Sequence, residues 1–257
     1  MTYARHYQAF LTLARKEVLR VLRIWSQTLL PPVVTTTIYF VVFGSFLGSR
    51  IQPLGEYSYI QFIFPGLIMM TTITNSFSNV ASSFYSAKFQ KSIEELLVAP
   101  LSDGLIIGGY ISGGIVRGVL CGLLVMIVGL FFTRVPVLHP GLIIVYLLLT
   151  ATLFSLAGLA NAVYAKSFDD ISIIPTFVLT PLTYFAGVFY SINLLPPTWR
   201  TVSLFNPIFY MVDGFRYGFL GISDASIGLG LAILVVSNAA LLALILYFFK
   251  NGAGLRS

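Results

Sequence analysis

Charge is scarce in this chain. Fifteen Lys and Arg and nine Asp and Glu make up 9% of its 257 residues, while 57% are hydrophobic. Ordinary globular proteins carry about 25% charged residues. That shortage excludes a soluble fold, because there is too little polar surface to clothe one. Cysteine is nearly absent: Cys121 stands alone inside an apolar run, which excludes an internal disulfide and a cysteine metal site. There are two histidines, His6 and His139, and no HExxH or GxSxG pattern. No GxxxxGK[ST] loop occurs, so the chain cannot hold ATP in the usual way. No nucleophile–base pair lies at membrane depth, and no catalytic, cofactor or metal-binding residue is expected.

Carboxylates are missing from every apolar span. Glu17, Glu56, Glu94, Glu95, Asp103, Asp169, Asp170, Asp213 and Asp224 fall outside the spans or at their ends. Intramembrane acids couple many carriers to protons, and this chain has none. Nothing reads as a cleavable signal, since apolar sequence begins only after a charged stretch.

Six apolar spans are predicted, near 25–47, 57–86, 105–132, 141–165, 171–190 and 227–249. Each approaches the ~20 residues needed to cross the hydrocarbon core. The second is long and carries Pro65-Gly66, so its first turn stands above the core or the helix breaks there. Residues 3–24 read as a helix on the membrane surface. Tyr7, Phe10, Leu11, Ala14, Val18, Val21 and Leu22 share one face, and Arg5, Arg15, Lys16, Arg20 and Arg23 cover much of the rest. An ordinary soluble helix is the plainer alternative.

The net charge of +6 is read as topology, with membrane lipid as a partner and no nucleic acid. With the N-terminus inside, Arg5, Arg15, Lys16, Arg20, Arg23, Lys88, Lys91, Lys166, Lys250 and Arg256 are cytoplasmic. Arg50, Arg134, Arg200 and Arg216 are outside. Both termini are therefore expected in the cytoplasm. Residues 191–226 are aromatic and broken at Pro196-Pro197 and Asn206-Pro207, which fits short helices forming an outer cap.

Residues 87–100 form an island of charge between two apolar spans. Ile93, Leu96 and Leu97 share one face, opposite Lys88, Lys91 and Glu95, and Pro100 stops the run. A plain loop would need no apolar face, so an amphipathic docking helix is the alternative. Two polar stripes stand out: Thr71, Asn75, Asn79, Ser82 and Ser86 in the second span, and Thr176, Thr180, Thr183 and Tyr184 in the fifth. They either bond helix to helix or line a path. Arg117, the one charge inside a span, either caps backbone carbonyls, reaches the interface or contacts a substrate. Gly114-x3-Gly118-x3-Gly122 beside it is a face that another helix can approach closely. A secondary carrier or channel with no ATPase is the alternative to an ATP-driven transporter: six spans could be a three-plus-three repeat, and the missing membrane carboxylate argues against proton coupling but not sodium coupling.

One set of landmarks narrows the choice. Tyr59-x5-Pro65-Gly66 enters the second span. Ala87-Lys88-Phe89 through Ile93-Glu94-Glu95-Leu96-Leu97-x2-Pro100 follows it, and Phe168-Asp169-Asp170 precedes the fifth. Leu195-Pro196-Pro197 through Asn206-Pro207-x2-Tyr210-x5-Arg216-x4-Gly221 comes after. In this order and spacing, over the whole chain, they resemble the permease subunit of the type-2 class of ATP-binding-cassette exporters. The resemblance implies an all-α integral membrane protein of one domain, 1–257, in a bacterial inner membrane. It implies a homodimer bound to two copies of a separate ATPase, which would carry ATP and Mg. The N-terminal helix and a coupling helix at Lys88–Leu97 would meet that ATPase. Glu94 and Glu95 are expected to bear the force, with Phe89 as apolar anchor. Residues 191–226, including Asn206, Pro207, Tyr210 and Arg216, would be a re-entrant cap. The second and fifth spans would line the path. The cargo is left open.

Overall fold

In the computed structural model, which describes residues 3–48, 56–252 and 254, the architecture is all-helical, with no strand among the described residues. Arg50 and Arg256, counted above for orientation, lie outside the described residues, as does the side chain of Arg5.

Helix α4 (Tyr59–Phe89) is the one the others enclose. At its start the Ser58 N–H donates to Gln61 Oε1 at 2.9 Å, which closes the first turn. Pro65 removes one backbone donor, yet the helix runs through it unbroken for 31 residues. At 1.5 Å per residue that is about 46 Å, longer than the ~30 Å hydrocarbon core. Of the two alternatives read from the sequence, a break at Pro65-Gly66 does not occur, and the continuous helix fits a first turn that stands above the core. Gly66 serves a different purpose: a Cβ there would lie 2.9 Å from the Val188 carbonyl oxygen, so the 185–191 segment can cross α4 only over a glycine.

Helices α6 (Asp103–Phe132) and α7 (Pro140–Tyr164) flank α4. The α6 glycines form the seam with α4. A Cβ at Gly114 would strike Ser155 and Val80, at Gly118 the Ser76 hydroxyl, and at Gly122 the Thr72 hydroxyl. The helix that the small-residue face admits is therefore α4. Helix α12 (Ile227–Asn251) packs outside α7, with Ser226 at its N-cap and Gly252 in the left-handed region at its C-cap.

The N-terminal helix α1 (Tyr3–Arg23) forms as predicted but does not rest on lipid alone. It exposes Tyr7, Leu11 and Leu22, while Phe10, Leu13 and Glu17 meet Gly108, Gly109 and Gly113 of α6 in turn. The two helices run side by side over those turns. Ile24 leaves helical geometry, and the chain continues through α2 (Trp25–Thr28) and α3 (Leu30–Tyr39) into a π-helical stretch, Phe40–Leu47.

Among the described residues five helices are long and apolar enough to cross a membrane: Trp25–Gly44, α4, α6, α7 and α12. The predicted fifth span, 171–190, takes another form. It consists of three five-residue pieces, α8 (Asp170–Ile174), a π turn (Pro175–Leu179) and α9 (Thr180–Tyr184). Together they reach about 22 Å. Pro175 and Pro181 each remove a backbone donor, and the chain then leaves helical geometry through Gly187 at φ 71°.

The bundle has two distinct ends. At one lie α5 (Ser92–Val98), the start of α6, the end of α7 and the end of α12, packed around Val80, Phe84, Ile107, Leu159 and Phe249. At the other lie α10 (Pro197–Leu204) and α11 (Pro207–Leu220). There Phe64, Phe209, Phe215 and Phe219 fill the larger apolar core.

Candidate functional site

Three places hold the residues singled out from the sequence. The first is the junction of α4 and α5. Helix α4 does not stop before Lys88: Lys88 and Phe89 form its last turn, so the coupling helix predicted at Lys88–Leu97 is shorter and begins at Ser92. Between them Lys91 adopts φ 58°, the one positive φ outside glycine among the described residues. This left-handed residue turns the chain sharply. Ile93, 1% exposed, seats α5 on the bundle, with Leu96 and Leu97 half-buried behind it. Glu94 and Glu95 occupy the first turn, facing out, where the helix dipole favours carboxylates. Val98 is exposed as well.

Lys88 faces inward instead. Its Nζ donates to the Val163 and Ala165 carbonyls at 2.7 and 3.1 Å, capping the end of α7. Phe89 is 67% exposed and packs edge-on against Phe168, whose ring also meets Tyr85. Within the chain the apolar anchor of this region is Ile93, and Phe89 presents its ring outward. A cleft of about 380 Å³ separates α5 from α1, between Ser92, Glu95 and Leu96 on one side and Ala9, Thr12 and Lys16 on the other.

Behind that cleft lies a polar lock that sequence reasoning missed. Glu17 is 1% exposed. It accepts the Ser83 hydroxyl at 2.5 Å and pairs with Arg20 Nε at 3.4 Å. Arg20 Nη2 in turn reaches the Asn79 carbonyl and side-chain oxygens at 3.2 and 3.0 Å. The signal was present: Glu17 stands four residues from both Leu13 and Val21, on the buried stripe of α1.

The second place is the exposed side of α4. Thr71, Asn75 and Asn79 are buried within the chain. Asn75 bonds the Thr71 carbonyl of its own helix at 2.9 Å, and Asn79 holds Arg20. The open side of α4 runs one residue over, through Met70, Thr74, Ser78, Ser82 and Ser86. Ser82 and Ser86 were in the predicted stripe, whereas Thr74 and Ser78 were not. In the fifth segment Thr176 and Thr180 are exposed, and Thr183 turns inward. The Tyr184 hydroxyl meets that of Tyr39 at 3.0 Å, joining this segment to α3. Between α3 and α4 opens a crevice of about 310 Å³ lined by Gln27, Thr35, Thr36, Thr71, Thr74, Asn75, Ser78 and Arg117.

The third place is the opposite end. Asn206 caps α11, accepting the Ile208 N–H at 3.0 Å, and its amide donates to the Leu182 carbonyl at 2.6 Å. Pro207 takes the first helical position. The Tyr210 hydroxyl donates to the Leu204 carbonyl at 3.0 Å, tying α11 to α10. Arg216, 1% exposed, lies 3.9 Å from the Phe62 ring centroid. It donates to the Phe62 and Gly187 carbonyls and stands 4.0 Å from Asp213. Asp213 accepts the Ser223 hydroxyl and the Asp224 and Ala225 N–H groups. Burial pulls the guanidinium of Arg216 down to about 10 and pushes the Asp213 carboxyl up, so the bonds are made against a desolvation cost. This one side chain joins α4, the 185–191 segment and α11.

Comparisons with known proteins agree with this layout. Residues 8–220 match the family model of the ABC-2 type transporter. The chain is 54% identical over 252 residues to the inner membrane transport permease YadH of Escherichia coli K12, covering 98% of both chains. It is 24% identical over 200 residues to nodulation protein J of Rhizobium leguminosarum bv. viciae, covering 77% of each. It is 25% identical over 224 residues to nodulation protein J of Neorhizobium galegae, covering 85% of this chain and 82% of that one. With its long apolar helices and a match of this extent, the chain is a multi-pass membrane permease that belongs to the ABC-2 type transporter family.

Proposed function

We propose that this permease is the membrane-spanning subunit of an ATP-driven exporter, working as two copies bound to two separate ATPase chains that carry ATP and Mg. The observation that carries the reading is α5. It is a short helix seated by Ile93, with Glu94, Glu95, Phe89 and Val98 turned outward, joined through the Lys91 turn to the most enclosed helix of the bundle. A load on α5 is delivered to α4. In this reading the α5 end is cytoplasmic, where Lys88, Lys91, Lys166 and Lys250 gather. Residues 170–190 make a sixth, short crossing beside the five long helices, and 191–226 form a re-entrant outer cap. The path runs along the open side of α4 and past Thr176 and Thr180, facing the second copy. A polar stripe of small side chains on a membrane helix suits a partner or a water-lined path better than lipid.

Glu94→Lys tests the coupling role, because Glu94 is exposed and makes no contact that the fold needs. The variant is expected to reach the membrane and keep its thermal stability. Its stimulation of the partner's ATP hydrolysis is expected to fall about fivefold or more. Unchanged stimulation would remove Glu94 from the force path. Purification of the native complex separates this reading from a carrier or channel, which would bring down no equimolar ATPase.

A further inference from the structure

Arg117 is the fifteenth of the thirty residues of α6 and stands level with the start of the first span, where it shares a crevice with Gln27 and its neighbour Cys121 meets the Thr28 carbonyl. Among the described residues no carboxylate pairs with it. Its Nε is buried without a hydrogen-bond partner. The ion pairs among the described residues are Glu17 with Arg20 and Asp213 with Arg216, and neither involves it. Among the described residues it bonds no backbone carbonyl, and its side-chain partner is Cys121, a weak acceptor. The charged group whose field reaches it is Arg20, another cation. A charge on a membrane-spanning helix without a counter-ion marks a substrate or ion pathway by default.

The guanidinium borders the crevice between α3 and α4. That crevice holds about 310 Å³, enough for a small head group, and no carboxylate lines it. Gln27, Asn75 and Ser78 offer neutral hydrogen-bonding groups around the charge. Outside its rim, Leu30, Val34 and Ile38 of α3 are exposed and apolar, a strip along which a chain of methylenes can lie. One fixed cation, a ring of neutral polar groups and an adjoining apolar strip are complementary to an amphiphile with an anionic head.

We propose that this crevice binds the anionic head group, phosphate or carboxylate, of the transported amphiphile, with Arg117 as its counter-charge. This rests on the reading of α4 as the wall of the path. The binding step involves the permease alone, so it is measured without an ATPase, and failure of coupling at Glu94 would leave its outcome unaffected.

The test is native mass spectrometry of the purified chain released from a neutral maltoside detergent. The chain is titrated with dodecyl phosphate or with the zwitterion dodecyl phosphocholine. Wild type is expected to bind dodecyl phosphate about tenfold more tightly, the scale of one charge-assisted hydrogen-bonded contact. Arg117→Met abolishes the preference, Arg117→Lys keeps most of it, and Lys250→Met, exposed in the last turn of α12, leaves it intact. Should Arg117→Met fail to fold, Asn75→Leu narrows the crevice without touching the charge and also weakens binding. Retention of the preference in both variants overturns the site. A phosphatidylglycerol molecule that co-purifies one to one and resists displacement by dodecyl phosphate overturns the cargo assignment, since the site would then hold a resident lipid.

Discussion

Replacing Gly118 by alanine probes the seam that holds α4 to α6. The added Cβ would land on the Ser76 hydroxyl and lie 3.1 Å from both the Ser76 Cβ and the Thr72 carbonyl oxygen. Two of these atoms belong to groups that cannot swing aside, because Thr72 O is backbone and the Ser76 Cβ is fixed by the helix. Overpacking of this kind costs about 1–3 kcal/mol, and two long rigid helices leave little room for relief, so about 2 kcal/mol is expected. At about 2–4 °C per kcal/mol for a chain of this length, the apparent Tm falls by about 4–8 °C. The Ser76 hydroxyl is buried without a partner, so Ser76→Ala alone leaves nothing unpaired and is expected within about 0.5 kcal/mol of wild type. The double variant removes the worst overlap and recovers at least about half of the loss, a coupling that distant sites would not show. Gly141, with nothing within 4 Å of its Cβ, is the control: alanine there is neutral or better. Fluorescence-detected unfolding in maltoside reads all four. A Gly118→Ala protein that melts with wild type, or one that Ser76→Ala fails to rescue, would refute the packing argument.

Two other perturbations follow from the polar contacts. Glu17→Gln keeps the shape of the buried carboxylate but not its charge. Arg20 retains Asn79 and is 32% exposed, so the loss is discounted to about 1–2 kcal/mol. Glu17→Gln with Arg20→Gln should cost less than the two singles summed, and strict additivity in the melting series would rule out the lock. Arg216→Lys preserves charge but cannot serve the Phe62 and Gly187 carbonyls while covering the Phe62 ring. About 2–3 kcal/mol is expected, read as a lower Tm together with faster proteolysis within residues 185–191. Unchanged cleavage there would show that Arg216 does not hold that segment.

Hydropathy was enough to find α4, α6, α7, α12 and the first span, because length and apolarity are what a bilayer demands. It could not show which side of α4 is covered. In a membrane protein the buried and lipid-facing surfaces are equally apolar, so periodicity reports polar residues without saying where they point. Thr71, Asn75 and Asn79 were conspicuous because they are polar, and they are polar because they bond within the chain. Thr74 and Ser78, on the open side, looked no different. The fifth segment carried enough apolar residues for a crossing, but Pro175, Pro181 and Gly187 act on the backbone, which composition does not register. Glu17 was counted only among the acids outside the spans, although its spacing from Leu13 and Val21 puts it on the buried stripe of α1. Lys88 was assigned to the docking surface by its place in a charged run, although the Val163 and Ala165 carbonyls at the end of α7 give it an internal use.

The glycine seam also limits how the molecule can move. With no Cβ between them, α4 and α6 are interlocked at Thr72, Ser76 and Val80, and neither can tilt or slide past the other without driving side chains into backbone. If α5 is where the partner ATPase pulls, as proposed above, the stroke would shift α4, α6 and the α1 fastened to them as one stiff plate. Compliance is concentrated in the short 170–184 stretch, where a π turn and two prolines interrupt the helix, while Arg216 pins the chain at Gly187 beyond it. The permease is thus built as a rigid panel with one pliable edge, and it is along that edge that opening and closing would be measured.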